Sequence, residues 1–258
     1  MKTFEFSYEM VIAFENYVDN HSFALKFKPH YNRRQRYQKL NYIIEPFCNC
    51  WESQDAFGNT VVSGFLRQPH KFFKVLQIGT VEINSDVHEE DIPLYIYKYP
   101  SEMTKPDQKM TGLLQDIESH VYIADTLRAV SSMINEHMTY VKETTHIHTT
   151  AAEAFTEGVG VCQDYAHIML ALLRSMGMMA RYVAGIMTGE GETHAWIEVY
   201  DGTVWIGYDP TNSQFIDEHY LKFSHGRDSM DCMVNRGIFS GYVPQDMSIR
   251  TSMTEIIL

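Results

Sequence analysis

The sequence predicts an α+β protein in which a mostly-β amino-terminal domain, residues 1–100, precedes a second domain, residues 101–258, built from a helix packed on an antiparallel sheet. Three observations support this prediction. Residues 1–100 contain runs in which apolar and polar residues alternate, as in strands with one solvated face. Residues 165–176 carry one apolar stripe at helical spacing. Residues 193–210 form two strand-like runs joined by Asp201-Gly202.

The amino-terminal strands are expected at residues 4–11, 21–28, 38–46, 61–66 and 71–83. The run 21–28 alternates most regularly, through Phe23, Leu25 and Phe27. Residues 93–108 contain three prolines and are therefore expected to form a linker that leads to the second domain. This half of the chain offers no residue pattern that predicts chemistry.

The second domain opens with a helical pattern over residues 113–141, through Leu114, Ile117 and Val121, and a short helix is expected at 150–155. The next helix begins at or within one turn of Cys162, and Gly177 stands where a left-handed residue would end it. Its apolar stripe consists of Tyr165, Ile168, Met169, Leu172, Leu173 and Met176. The free N–H groups at a helix amino terminus favour a thiolate, which would make Cys162 a nucleophile. The alternative interpretation is that Cys162 is only a small, buried, apolar side chain with no chemical role.

A histidine and an aspartate are predicted to meet on the following hairpin. Asp-Gly between two β-prone runs favours a two-residue type I′ loop, which would place Tyr200 opposite Thr203. In that register His194 lies directly opposite Asp209, with Cβ atoms roughly 4.5–5.5 Å apart. A carboxylate at that distance would hold the imidazole in one tautomer and leave its other nitrogen free to accept a proton from a thiol.

Several ordered motifs resemble the bacterial transglutaminase-like superfamily, whose members are often described as candidate cysteine proteases. They are Gly-Val-Cys-Gln-Asp-Tyr-Ala at 160–166, Arg-Ser-Met-Gly at 174–177, His-Ala-Trp-Ile-Glu-Val-Tyr at 194–200 and Trp-Ile-Gly-Tyr-Asp-Pro-Thr-Asn at 205–212. The resemblance covers about residues 110–240 and implies a papain-like α+β fold with a Cys-His-Asp triad at Cys162, His194 and Asp209. Residues 55–61 and 99–101 resemble the amino-terminal β region that often accompanies this core.

These residues predict acyl transfer from an amide through a thioester on Cys162. Gln163 and Trp196 are candidates for the oxyanion site or the cleft wall. Hydrolysis by a protease or amidase is favoured over transglutamination, although the triad is the same for both. Two further hypotheses stay open: a non-catalytic binding module with this fold, and a metalloenzyme that uses Cys162 and histidines.

Composition restricts the partners. The net charge of −12 argues against nucleic acid and anionic membranes as partners. The acyl-transfer chemistry makes a protein or peptide with an amide group the expected substrate. The four cysteines are too few for a disulfide framework, and the amino terminus has no signal-peptide pattern, so a cytoplasmic location is expected. Cys48 and Cys50 lack the spacing of a zinc motif, and no calcium loop is present, so no cofactor is expected.

Overall fold

The structure, a computed structural model, describes residues 1–89, 91–114 and 122–257. The strands of the first part of the chain are β1 (Lys2–Leu25), β2 (Gln35–Glu45), β3 (Cys50–Gln54), β4 (Thr60–Leu66) and β5 (His70–Ile83). The later strands are β6 (Thr139–Tyr140), β7 (Val159–Gly160), β8 (Ala180–Met187), β9 (Gly189–Gly191), β10 (His194–Tyr200), β11 (Trp205–Asp209), β12 (Gln214–Phe215), β13 (Tyr220–Gly226), β14 (Asn235–Ser240) and β15 (Gln245–Glu255). The helices are α1 (Gln108–Leu113), α2 (Ile123–His137), α3 (Ala151–Glu157) and α4 (Cys162–Ser175).

The amino-terminal sheet is organised around β1, which joins the two predicted strands 4–11 and 21–28 into one 24-residue strand. Every second residue from Phe4 to Phe14 is apolar and buried, while the residues between them are exposed or half-buried. The strand order β2-β5-β1-β15-β9 places β1 at the centre. Because β14 and β15 also pair with β1, this sheet takes strands from both ends of the chain. The division into domains at residue 100 stays a prediction.

The second sheet has the order β12-β11-β10-β8-β13, and α4 packs against one of its faces. Nearly all of α4 is buried, which agrees with the apolar stripe in the sequence. Gly177 has a φ of +81° directly after the helix, as predicted for its last turn. The two sheets share a core in which Phe223 of β13 packs edge-on against Tyr8 of β1 at 5.7 Å between ring centroids.

The predicted helix over residues 113–141 is shorter in the structure. Leu113 and Leu114, at the start of the predicted range, belong to the end of α1. From Ile123 the range forms α2, which ends at His137 because Met138 is extended and the chain then pairs with β7. Val141 therefore lies outside the helix. Ile117 and Val121 of this pattern lie outside the described residues. No helix within the described residues is long and apolar enough to cross a membrane, and the cytoplasmic location stays a prediction.

A buried ionic cluster joins the end of the amino-terminal region to the second sheet. Arg181 of β8 is fully buried and donates to Glu89, Asp91 and Glu198 over 2.6 Å each. Lys222 of β13 donates to Glu89 over 2.9 Å and to Glu198 over 2.8 Å. Each buried charge thus has opposite charges at hydrogen-bond distance, the condition under which such groups are tolerated in a core.

Candidate active site

Cys162 is the first residue of α4, as the sequence predicted. The helix start is fixed by Asp164, whose Oδ2 accepts from the Val161 backbone N–H at 2.8 Å and from the Thr145 hydroxyl at 2.7 Å. A Cβ at Gly160 would lie 2.7 Å from the Asp164 Cβ, so only glycine fits beside this carboxyl group. The cysteine is therefore held at the positive end of the helix dipole.

The predicted hairpin register is wrong by two residues. Tyr200 pairs with Trp205 rather than with Thr203, so the loop has four residues, 201–204. The cause is the Asp201 carboxylate, whose Oδ1 accepts from the backbone N–H groups of Thr203 and Val204, both at 2.8 Å. These bonds stabilise a longer turn than the type I′ loop that Asp-Gly usually forms.

His194 and Asp209 nevertheless meet. Side chains alternate between the two faces of a sheet with a period of two, so a shift of two residues leaves both on one face. In the observed register Asp209 would lie opposite Trp196, and His194 is its diagonal neighbour. The His194 Nε2–H donates to the Asp209 Oδ2 at 2.7 Å. The predicted contact is thus present, although the two residues are not directly opposite.

The Asp209 carboxylate is fully buried and receives five hydrogen bonds. Its Oδ2 accepts from His194, from the Asn212 side chain at 2.7 Å and from the Tyr220 hydroxyl at 2.8 Å. Its Oδ1 accepts from the backbone N–H groups of Thr211 at 2.9 Å and Asn212 at 3.2 Å. This network fixes the carboxylate, and through it the ring of His194.

The electrostatics of the site favour a charged imidazole. Burial opposes the charge on His194, but hydrogen bonds to Asp209 and to the Cys162 side chain raise its pKa from 6.5 to about 10. Burial likewise opposes the charge on Asp209, but the hydrogen bond from His194 lowers the pKa of this carboxyl group. Because Nε2 is bound to Asp209, Nδ1 is the ring nitrogen left for the thiol. The arrangement can move a proton between sulfur and nitrogen while the carboxylate stabilises the imidazolium.

Cys162 and His194 open onto a cleft of about 630 Å³. Gln163, one of the two predicted cleft residues, is part of its lining. Trp196, the other, does not line it: its side chain is 1% exposed and packs against the rings of His194 and Tyr220, with centroids at 6.4 Å and 5.4 Å. Trp196 lies two residues after His194 in β10, so both side chains lie on the same face of the sheet. The buried indole therefore packs against the imidazole and supports it.

The cleft wall includes residues that the sequence analysis did not single out. Ser229 lines the cleft with 7% exposure, and its hydroxyl has no partner in the described part of the chain. Its backbone N–H donates to the Nε2 of the buried His167 at 3.1 Å. Burial lowers the pKa of His167 to about 3, so this ring is neutral and accepts the bond. His167 follows Cys162 by five residues, about 140° round α4, so helix periodicity gave no signal for it.

The other three cysteines differ in their positions. Cys232 is 2% exposed and borders the cleft. Cys50 begins β3 of the amino-terminal sheet, and its Sγ lies 3.6 Å from the Sγ of Cys48. Among the described residues no group of three or more histidine, cysteine, aspartate or glutamate side chains could hold a metal ion.

The fold, a cysteine-bearing helix packed on an antiparallel sheet that presents a histidine and an aspartate, defines the transglutaminase-like class. Residues 111–210 match the family model of the transglutaminase-like superfamily. The expected α+β architecture with a mostly-β amino-terminal region is thereby confirmed.

Relatives and a solved structure extend the similarity beyond that domain. An uncharacterised protein of Mycobacterium leprae is 28% identical over 251 residues, which cover 88% of this chain and 90% of that protein. An uncharacterised protein of Mycobacterium tuberculosis is 30% identical over 173 residues, and this alignment spans about half of that protein's length (51%) and 61% of this chain. The crystal structure of a "putative cysteine protease" from Cytophaga hutchinsonii superposes with a TM-score of 0.82 at 20% identity and covers 100% of this chain and 91% of that one. This likeness shows that both sheets belong to one recurring fold.

Proposed function

We propose that this protein is a cysteine-nucleophile acyl-transfer enzyme that acts on amide or peptide bonds. The observation that carries the proposal is the position of His194, which lines the same cleft as Cys162, has its pKa raised by the Cys162 side chain, and donates to Asp209 over 2.7 Å. Cys162 at the start of α4 and His194 on β10 thus lie at the wall of the cleft, where His194 can exchange a proton with sulfur and the buried Asp209 of β11 orients its ring. A nucleophile, a base and a group that orients the base are what this chemistry requires.

In the proposed reaction the Cys162 proton already lies on His194, and the Cys162 thiolate attacks the carbonyl carbon of a substrate amide. The tetrahedral intermediate collapses to a thioester when the carbon–nitrogen bond breaks, and His194 returns the proton to the leaving amine. The Cys162 backbone N–H lies in the first turn of α4, where amides have no carbonyl partner within the helix, and we assign it to the oxyanion. We assign Gln163 to the substrate contact beside it.

Water is the acyl acceptor that we favour, which makes the protein a protease or amidase. In that case water adds to the thioester carbonyl and gives its proton to His194, and Cys162 leaves as the thiolate when the carbon–sulfur bond breaks, which restores the starting pair of thiolate and imidazolium. An amine in place of water would give a transglutaminase, the second candidate, because the same three residues serve both steps. A glutamine peptide incubated with a fluorescent primary amine distinguishes the two: hydrolysis releases a free acid, whereas transamidation couples the fluorophore to the peptide.

Competitive alkylation tests whether the constellation is reactive or only structural. Iodoacetamide at limiting concentration should modify Cys162 roughly tenfold or more faster than Cys48, Cys50 and Cys232, because of the four cysteines only Cys162 lies beside an imidazole. Cys232 also borders the cleft, but it is buried and burial raises the pKa of its thiol. His194→Gln should remove most of this difference. Equal alkylation rates at the accessible cysteines, in a folded wild-type protein, would instead favour a non-catalytic binding module.

A further inference from the structure

The outer edge of β15 is incompletely paired. On one side β15 pairs with β1 along its whole length, from Gln245 to Glu255. On the other side β9 pairs only with residues 251–253. Within the described part of the chain no strand pairs with residues 245–250 on that side. Most of these residues are exposed, and Met247 is 50% accessible to solvent.

The direction of the backbone groups on this edge follows from two hydrogen bonds to the β1 side. Ile256 N–H donates to the Thr3 carbonyl at 2.8 Å, and the Pro244 carbonyl accepts from Glu15 N–H at 3.1 Å. Backbone groups alternate between the two sides of a strand, so the even-numbered residues of β15 bind β1. Met247 and Ile249 therefore direct their N–H and C=O groups outward, where no described strand pairs with them.

The same residues face the cleft. The side chains of Met247, Ile249 and Thr251 line the cavity that contains Cys162 and His194. Thr251 pairs with Gly191, the last residue of β9, after which the chain turns away towards β10. The line of β9, continued past Gly191, would run along Ile249 and Met247 through the cleft. An extended chain lying in the cleft would thus occupy the position of an additional strand.

We propose that the open edge of β15 is the substrate-binding subsite and that the substrate is an extended, locally unfolded polypeptide. This inference rests on the proposed acyl-transfer function. The substrate would continue the line of β9, antiparallel to β15, and bind the outward N–H and C=O groups of Met247 and Ile249. The short strand β9 already pairs antiparallel with residues 251–253 on this side of β15, so the edge accepts a strand in the proposed direction.

The cleft lining also indicates which substrate side chains would fit. Alternate side chains of an added strand would point into a cavity whose wall includes Met187, Met230, Met233 and Met247. Methionine is flexible and adapts to apolar groups of different shape. The subsite should therefore favour apolar residues at alternate positions without selecting one of them, while the main chain provides most of the affinity.

Two variants at one position test the role of the backbone. Met247→Pro removes an outward N–H and leaves the hydrogen bonds to β1 in place, since those come from even-numbered residues, and edge strands tolerate such a proline. Met247→Leu keeps the N–H and the apolar bulk. The readout is the ratio of kcat/KM for carboxymethylated casein, an unfolded polypeptide, to kcat/KM for p-nitrophenyl acetate, which is too small to reach the edge. We expect this ratio to be roughly tenfold lower in the proline variant than in the leucine variant.

The outcomes separate the two proposals. Equal ratios in the two variants, with the ester still turned over, would overturn the edge subsite and leave the proposed function intact. Wild-type protein that fails to form an ester-derived acyl group on Cys162 would overturn the proposed function itself. A change from dimer to monomer on gel filtration of Met247→Pro would assign the edge to a second copy of the chain and also overturn the subsite.

A second measurement uses the wild-type protein and does not depend on how the proline variant folds. A cleavable apolar peptide is prepared in versions that each carry one N-methylated amide. Added-strand binding predicts that methylation weakens turnover at every second amide, because alternate N–H groups face β15. Equal effects at successive amides would contradict it.

Discussion

Replacing Asp209 with asparagine should lower the pKa of His194. In the wild-type protein this pKa is raised from 6.5 to about 10. At about 1.4 kcal/mol per pKa unit, the difference corresponds to roughly 5 kcal/mol in favour of the imidazolium, shared between Asp209 and Cys162. Asp209→Asn removes the carboxylate charge 2.7 Å from Nε2 but keeps a side chain of similar size. We expect the pKa of His194 to fall by about 1–3 units.

The assay is an NMR titration of the imidazole nitrogens in protein labelled with ¹⁵N-histidine, with the His194 signal assigned from His194→Gln. Tyr220→Phe is the matched control, because it removes one donor to Asp209 and keeps the charge, so we expect a shift of less than about one unit. Cys162→Ala should also lower the pKa of His194, since the Cys162 side chain is a second group that raises it. A His194 pKa that is the same in Asp209→Asn and in wild type would refute the reasoning.

The sign of the effect on stability follows from the same shift. A group whose pKa is higher in the folded than in the unfolded protein contributes stability that is fully present below about pH 6.5 and is lost as the pH rises through about 10. Thermal unfolding of wild type should therefore show a loss of stability over this range. Asp209→Asn should show a smaller loss, because its His194 pKa lies closer to the unfolded value.

Two further predictions concern the scaffold, and thermal or urea unfolding checks both. Gly160→Ala should destabilise the protein by about 1–3 kcal/mol, because the added Cβ would lie 2.7 Å from the Asp164 side chain. Gly112→Ala should not, because no atom of the described residues lies within 4 Å of the Cβ it would add. Arg181→Ala should cost roughly 3–5 kcal/mol, because Glu89 and Glu198 stay buried and lose one of the two cations that bind them, and a cost below about 1 kcal/mol would contradict the account of the cluster.

The parts of the site that local patterns determine could be predicted from the sequence. The apolar stripe and Gly177 fixed α4 and placed Cys162 at its start, since helix periodicity and termination depend on neighbouring residues. The predicted contact between His194 and Asp209 is present despite the wrong register, because side chains return to the same face of a sheet every two residues. The loop length could not be predicted, because it depends on three hydrogen bonds to the Asp201 side chain that an Asp-Gly pair does not reveal.

The features that depend on distant segments were missed. Two glycines and two acids within residues 188–192, directly before Thr193 and His194, are typical of a mobile polar loop that borders the cleft. They do border it, but Gly189–Gly191 form β9, whose partner strand lies about sixty residues further along the chain. Tyr220 lies in a segment without a clear pattern, which the structure shows as β13. Its hydrogen bond to Asp209 is set by tertiary packing, and no spacing rule within one strand could predict it.

Trapping of the acyl group tests the central claim most directly. Protein mixed with p-nitrophenyl acetate, quenched in acid within milliseconds to seconds and digested, should carry a single acetyl group on the peptide that contains Cys162. The group should disappear on treatment with hydroxylamine, as a thioester does, and should be absent from His194→Gln at the same times. Ester turnover with no adduct on Cys162, or an equal adduct in the variant without the imidazole, would contradict the account.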